Sequence, residues 1–227
     1  MKQTPAHDQH NPDLLRMIPD GLKKIVEVGC SRGALARAYL QNNPGCDYVG
    51  LEIDADSALL ASRICRSVIC ADVESMTDDA FAAFSPSDCW IFGDSLEHLR
   101  DPWTLLRRIK NHLTPGGMIV ACIPNSQHWS FQARLGCGLL RYEDQGLLDR
   151  THLRFFTRIT MIDLFESSGY RLVEGYPRIF NEPEREKFLP AIRAMALAAG
   201  ADPAVAEKDA IPLQYVVKAV PVQMAAL

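Results

Sequence analysis

Five short apolar runs, Lys24–Val28, Tyr48–Ile53, Ser67–Cys70, Cys89–Phe92 and Met118–Ile123, punctuate the first half of the chain at lengths suited to strands. The stretches between them carry helical spacing or helix-start signals. This alternation predicts βαβ units and a mostly parallel sheet. The sharpest helix signal is Asp101-Pro102, a capping residue followed by proline at the first helical position. The spacing behind it buries Trp103, Leu106, Ile109 or the stem of Lys110, and Leu113. Thr114-Pro-Gly-Gly117 is expected to end that helix as a tight turn leading straight into Met118–Ile123.

The periodicity then lapses. Ser126 to Arg150 mixes Trp129, Phe131, Tyr142 and glycines without a sustained repeat, as connections that act as lids over a substrate often do. It resumes over Thr157–Ser168, a helix closed by Gly169, followed by a strand at Tyr170–Tyr176. A helical segment over Pro183–Ala199 and a strand over Gln214–Val220 complete the pattern. There is no internal repeat, low-complexity tract or linker.

Composition narrows the function classes. The 227 residues are 48% hydrophobic and 23% charged, ordinary for a folded protein, and no run approaches the roughly 18 apolar residues of a membrane span. The first twenty residues lack the apolar core and cleavage site of a secretory signal, which makes the cytoplasm the expected location. Seven cysteines without a Cys-x-x-Cys pair argue for reduced, mostly core residues rather than a disulfide framework or zinc cluster. The histidines show no pair at i, i+4 beside an acid, so no metal centre is expected. A net charge of −4 gives no pull toward nucleic acid.

Candidate chemistry starts at Glu27-Val-Gly-Cys-Ser-Arg-Gly33, a strand, glycine turn and helix start that place a ligand at the strand's carboxyl end. A dinucleotide fingerprint needs glycine at 29, 31 and 34, whereas the chain has Gly29, Ser31 and Ala34, with Gly33 out of step. No Walker Gly-Lys-Ser/Thr follows either. What fits is a ligand with a carboxylate for the helix amino-terminus, an ammonium near Glu27 and an adenosine along the sheet edge. S-adenosylmethionine has all three. Glu52, 19 residues beyond Gly33 at the end of the second strand, suits a ribose diol, and Asp72 after the third suits an adenine amino group.

These segments, in this order, resemble the class I S-adenosylmethionine-dependent methyltransferase superfamily over roughly Asn11 to Val220. The resemblance implies a three-layer, Rossmann-like α/β fold with a seven-stranded, mostly parallel sheet whose last strand is antiparallel. It implies that Glu27, Gly29, Cys30, Ser31 and Gly33 surround the methionine part of the cofactor. Glu52 would take the ribose, Asp72 and Val73 the adenine, with Ile53 also in contact. Asp94-Ser95-Leu96, within Asp94–His98, resembles the pocket-lining segment after the fourth strand. Ser31 stands where glycine is commonest. Asp149–Thr157 is similar to bacterial members related to ubiquinone biosynthesis and to O-antigen or other polysaccharide methylation. The whole of 1–227 is read as one methyltransferase domain, with 1–23 as an amino-terminal cap and 125–157 as a substrate lid.

Beyond the cofactor, Arg150, His152 and Arg154 point the same way if their segment is extended, and with Arg158 either face an anionic substrate group or form a solvated loop. His152 is either the base that takes a proton from an acceptor hydroxyl or a structural histidine. Trp129 and Tyr142 either wall the substrate or pack the lid. The expected activity is in-line methyl transfer to a small molecule or saccharide, at oxygen. Orientation alone can remove roughly 7–11 kcal/mol of barrier. Methylation of RNA or a nucleobase, and a non-catalytic interaction module that keeps the cofactor fold, are the alternatives. Oligomeric state is left open.

Overall fold

A computed structural model describes residues 8–222. The chain order is α1 (Pro12–Met17), β1 (Lys24–Val28), α2 (Ala34–Asn42), β2 (Asp47–Glu52), α3 (Ala55–Ala61), β3 (Ser67–Cys70), α4 (Asp78–Ala82) and β4 (Ser87–Gly93). Then follow α5 (Pro102–Lys110), β5 (Leu113–Pro124), α6 (Trp129–Gly136), α7 (Arg158–Ser167), β6 (Tyr170–Arg178), α8 (Leu189–Ala198), α9 (Pro203–Asp209) and β7 (Gln214–Pro221). The strands form one seven-stranded sheet in the order β3-β2-β1-β4-β5-β7-β6. β1 to β5 are parallel, and β7 runs antiparallel between β5 and β6.

Three layers follow from the two-residue period of the strands. Val26, Val28, Trp90 and Phe92 share one cluster with Leu105, Leu106 and Ile109 of α5 and with Met161, Leu164 and Phe165 of α7. Ile25, Tyr48, Cys89 and Ile91 share the other with Leu14 and Met17 of α1 and Leu35, Ala36 and Tyr39 of α2. Strands apolar on both faces are what a sheet covered by helices on both sides requires. Five cysteines are buried and all seven are free, with Cys70 and Cys137 exposed.

Several elements depart from the sequence expectation. Thr114–Gly117 lies inside β5: Leu113 already pairs with Ser87, and the chain loops out as a wide irregularity, Gly116 at φ +85°, before Met118 pairs with Cys89. On α5 the buried positions are Pro102, Leu105, Leu106 and Ile109, while Trp103 is only partly covered. The helix expected over Pro183–Ala199 breaks into a 3₁₀ turn at Pro183–Lys187 and α8. Pro190, in the first turn of α8, supplies no amide and disfavours helix in the residue before it. The Ser126–Arg150 stretch contains α6, whose residues are nowhere fully buried, so no apolar face announces it. By contrast α9 has an Asp202 cap and Pro203 behind it, the same signal that marks α5. Trp129, α8 and α9 make a small separate cluster around Leu189, Ile192 and Ala210. Of the expected 1–23 cap, residues 1–7 lie outside the described residues; α1 packs beneath the sheet and is tied to β6 by Arg178 on Asp13 at 2.9 Å. No described helix is long and apolar enough to cross a membrane.

Candidate cofactor and acceptor site

At the carboxyl ends of β1, β2 and β4 lies a cleft of about 1200 Å³, where the strand order reverses between β1 and β4. This is the crevice in which open α/β sheets hold ligands. The turn after β1 is made by three left-handed residues, Gly29 (φ +74°), Ser31 (φ +49°) and Gly33 (φ +77°). Ser31 therefore occupies a conformation that costs a residue with a Cβ roughly 1 kcal/mol. A Cβ on Gly29 would sit 3.2 Å from Ser95 Cβ, so at that point the wall of the cleft is bare backbone.

Glu52 fixes this turn to the end of β2. Its Oε2 accepts from the Ser31 amide at 2.7 Å, and its Oε1 accepts from Ile53 and Asp54 at 2.8 and 2.9 Å. Glu27, buried at the end of β1, accepts a 2.8 Å bond from the Tyr48 hydroxyl. Burial pushes its carboxyl up to about 7; the Tyr48 bond opposes this and the nearby Glu52 charge adds to it. Asp72 caps the 3₁₀ turn Val73–Ser75 and pairs with Arg100 at 2.7 Å. Asp94, at φ +55°, accepts from the Gln214 amide of β7. Among the described residues, the buried Ser95 hydroxyl has no hydrogen-bond partner.

Of the residues expected at the cofactor, Glu27, Gly29, Cys30, Ser31, Glu52 and Ile53 line this cleft, as do Asp72, Val73, Asp94 and Ser95. Gly33 and Leu96 do not. Gly33 is the left-handed cap of α2, packed against Ile64, and Leu96 is fully buried in the core. Sequence reasoning missed Gln9, His10 and Asn11, which reach the cleft from the amino-terminal segment.

The opposite wall is built from two distant segments. The Glu97 carbonyl accepts the Leu153 and Arg154 amides at 2.8 and 2.9 Å, docking residues 151–154 on the 3₁₀ turn Leu96–His98. Thr151 Oγ1 lies 3.0 Å from His98 Nδ1 and donates at 2.7 Å to the buried Asp149. The His98 and His152 rings meet edge-to-face with centroids 4.8 Å apart. Burial, then repulsion from His98, pulls the His152 imidazole down to about 4, so at pH 7 it is neutral. Burial, reinforced by Asp94 and Asp149, raises the Glu97 carboxyl well above its ordinary value. Glu97, His98 and His152 each place a potential metal-ligating atom within 4.8 Å of the others. No i, i+4 spacing could have revealed that convergence.

The arginines expected to gather around a substrate are dispersed. Arg150 pairs with Asp144 at 2.8 Å and is about half exposed. Arg154 binds the Arg100 carbonyl at 3.0 Å and lies over the Trp103 ring. Arg158 turns away to the buried Asp209 at 2.8 Å. Of Arg150, His152, Arg154 and Arg158, His152 alone lines the cleft, because the segment is pinned through its backbone to Glu97 rather than running as a free extended strand. Trp129 stacks on Phe188 and donates to Glu182 at 3.0 Å, while Tyr142 is 68% exposed; neither lines the cleft.

Comparison with known proteins agrees with this geometry. A protein-family model described as a methyltransferase domain matches residues 26–119. A ubiquinone biosynthesis O-methyltransferase of Stutzerimonas stutzeri (strain A1501) is 28% identical over 100 residues, 43% of this chain and 42% of that one. A trans-aconitate 2-methyltransferase of Azoarcus sp. (strain BH72) is 30% identical over 117 residues, covering 50% and 44%. The chain thus spans about half the length of the curated relatives it matches. A SAM-dependent methyltransferase structure from Archaeoglobus fulgidus superposes with a TM-score of 0.59 at 17% identity, over 88% of this chain and 86% of that one. With the sheet order and the clamped turn after β1, these matches make the chain similar to S-adenosylmethionine-dependent methyltransferases, the match to a methyltransferase domain covering residues 26–119.

Proposed function

We propose that this chain transfers a methyl group from S-adenosylmethionine to an oxygen of a small acceptor. The observation that carries this reading is the turn Gly29–Gly33 locked by Glu52 at the β1/β4 switch point, opening into the same cleft as His98 and His152. When bound there, S-adenosylmethionine supplies an electrophilic methyl on a sulfonium. Glu27 would face its ammonium, and the amides at the start of α2 its carboxylate. Glu52 spends its Oε1 on two amides, while its Oε2 accepts one and keeps a second lone pair for a ribose hydroxyl.

On the acceptor wall, His152 faces the cleft as a neutral imidazole whose conjugate acid, near 4, makes it a feeble base for a hydroxyl. Holding the two reactants in line is therefore the larger contribution. Oxygen as the methylated atom draws support from the O-methyltransferases among the relatives. The cleft carries Glu27, Glu52, Asp72, Glu74 and Asp149, a carboxylate lining that repels a polyanion and disfavours RNA.

The test is calorimetric titration of the protein with S-adenosylhomocysteine, followed by methyl-transfer assays on phenolic and carboxylic acceptors. Binding should occur and should weaken about 100-fold in Glu52→Ala, which orphans three amides and the ribose contact. Folded wild-type protein that binds no S-adenosylhomocysteine would overturn the proposal.

A further inference from the structure

We propose that Glu97, His98 and His152 form a divalent-metal site on the acceptor wall, with coordination positions left open for oxygens of the methyl acceptor. Three independent features of the site carry this.

The donors converge. One donor atom from each residue falls within 4.8 Å of the others, and His152 Nε2 is 3.9 Å from Glu97 Oε1. Metal–nitrogen and metal–oxygen bonds of about 2.0–2.2 Å space neighbouring ligands about 3–4 Å apart, so closure needs side-chain shifts below about 1 Å.

The carboxylate is orphaned. Glu97 is 1% exposed, yet among the described residues no other residue donates a hydrogen bond to either carboxylate oxygen. An unpaired buried carboxyl costs several kcal/mol unless a cation or donor meets it. Among the described residues, Arg32 and Arg100 are the cationic side chains that line the cleft. Arg100 is committed to Asp72 and Glu74, and Arg32 reaches Asp8 at 3.5 Å. Among the described residues, this desolvated carboxyl thus has no Arg or Lys to answer it.

The imidazoles are held for ligation. Thr151 engages His98 Nδ1 and leaves Nε2 for a ligand, and Thr151 is itself oriented by the buried Asp149. The His152 ring is held edge-on between the His98 and Phe155 rings, with centroids 4.8 and 6.2 Å away. A carboxylate or hydroxyl that fixes a histidine from behind is the usual outer shell of a metal ligand. Two imidazoles and one carboxylate suit Zn²⁺, Co²⁺ or Mn²⁺, and three protein ligands are the number found where a metal does chemistry rather than only holding the fold.

The location assigns the ion a task. All three residues line the cleft that also receives Glu27 and the turn after β1. An acceptor hydroxyl on the ion would release its proton to solvent; its oxygen would then form the new C–O bond, and the C–S bonding pair would stay on sulfur as the thioether. The ion stays divalent throughout. This answers what the feeble basicity of His152 leaves open, and it recasts His152 as a ligand rather than a base. Ion binding itself stands apart from the methyl-transfer proposal; only the ion's task rests on it.

The experiment uses untagged protein, stripped with a chelator, dialysed and titrated with CoCl₂ while visible absorption is read, with ZnCl₂ and MnCl₂ titrations by calorimetry. One equivalent should bind, with d–d bands of a nitrogen- and oxygen-ligated Co²⁺. Glu97→Gln and His152→Ala should each weaken binding at least about tenfold, with circular dichroism and S-adenosylhomocysteine affinity retained. Wild type that binds S-adenosylhomocysteine but none of the three ions overturns the metal site, as does undiminished ion binding in both variants. Ion binding without S-adenosylhomocysteine binding would instead sink the methyl-transfer reading and leave the site standing.

Discussion

On the cofactor wall, Glu27, the turn 29–33 and Glu52 come from one strand–helix–strand unit, and each contact joins neighbours in the sheet. On the acceptor wall, His98 meets Thr151 across 53 residues of sequence, and Glu97 is tied by its own carbonyl to residues 153 and 154. The first wall is written in local grammar, with strand periodicity, a glycine turn and a strand-end acid. The second exists only after an irregular segment has docked on a 3₁₀ turn. A site of local origin tolerates changes in the distant segment, and the reverse also holds; the predictions below test that independence.

Trp129→Ala removes a ring stacked on Phe188 and a bond to Glu182. It should cost about 3 kcal/mol in stability and open the α8–α9 unit to proteolysis, while S-adenosylhomocysteine affinity stays the same. A parallel loss of affinity in calorimetry would show that the two walls are coupled.

Glu27 makes a pH-dependent difference of nearly the same size. Its carboxyl rises from an ordinary 4.5 to about 7 in the fold. Between these values the folded state keeps a proton that the unfolded chain has released, so stability is fully present below pH 4.5 and is lost as pH rises to about 7. The loss approaches about 3 kcal/mol. Melting at pH 5 and pH 8 should show a steeper decline in wild type than in Glu27→Gln. An ammonium bound beside Glu27 reverses the shift, so cofactor-product affinity should climb over the same interval.

Gly29→Ala places a Cβ at φ +74° and 3.2 Å from Ser95 Cβ. It should cost about 1–2 kcal/mol in urea unfolding and weaken S-adenosylhomocysteine binding with no change at the acceptor wall. Arg150→Ala breaks an exposed pair with Asp144 and a long 3.4 Å bond to the Glu143 carbonyl, together worth less than about 1 kcal/mol. Acceptor KM should be unmoved; a tenfold rise would restore the anion-binding reading of the Arg150–Arg154 run.

The same division governs what the sequence could tell. Strands β1 to β4 and the helices α5 and α7 were legible because caps, prolines and apolar spacing are local signals. Asp202-Pro203 is an equally local signal for α9. The β5 irregularity was not, since a Pro-Gly-Gly run reads as a turn whether or not Leu113 has already found Ser87. Ten of the twelve cofactor residues expected from the turn and strand ends line the cleft; Gly33 and Leu96 stand behind it as a helix cap and as core. On the acceptor wall the sequence offers His152 from its own segment and Asp94–His98 through the resemblance, while alternation misleads about the neighbours of His152. The true partner of the 151–154 segment is a backbone carbonyl at Glu97, and backbone carbonyls carry no letter in a sequence.

β7 lies between β5 and β6, so β6 touches the sheet only through it. During synthesis on a ribosome, β5 emerges with one edge bare, and β6 follows with no strand to join. The growing chain must shelter Ile119, Ala121 and Ile123 on that bare edge until residues 214–221 arrive and close both gaps at once. Gln214, the first of those residues, also reaches Asp94 in the cleft. A ribosome-bound chain lacking these residues would carry the whole Glu27–Glu52 unit, yet its sheet would still be unfinished.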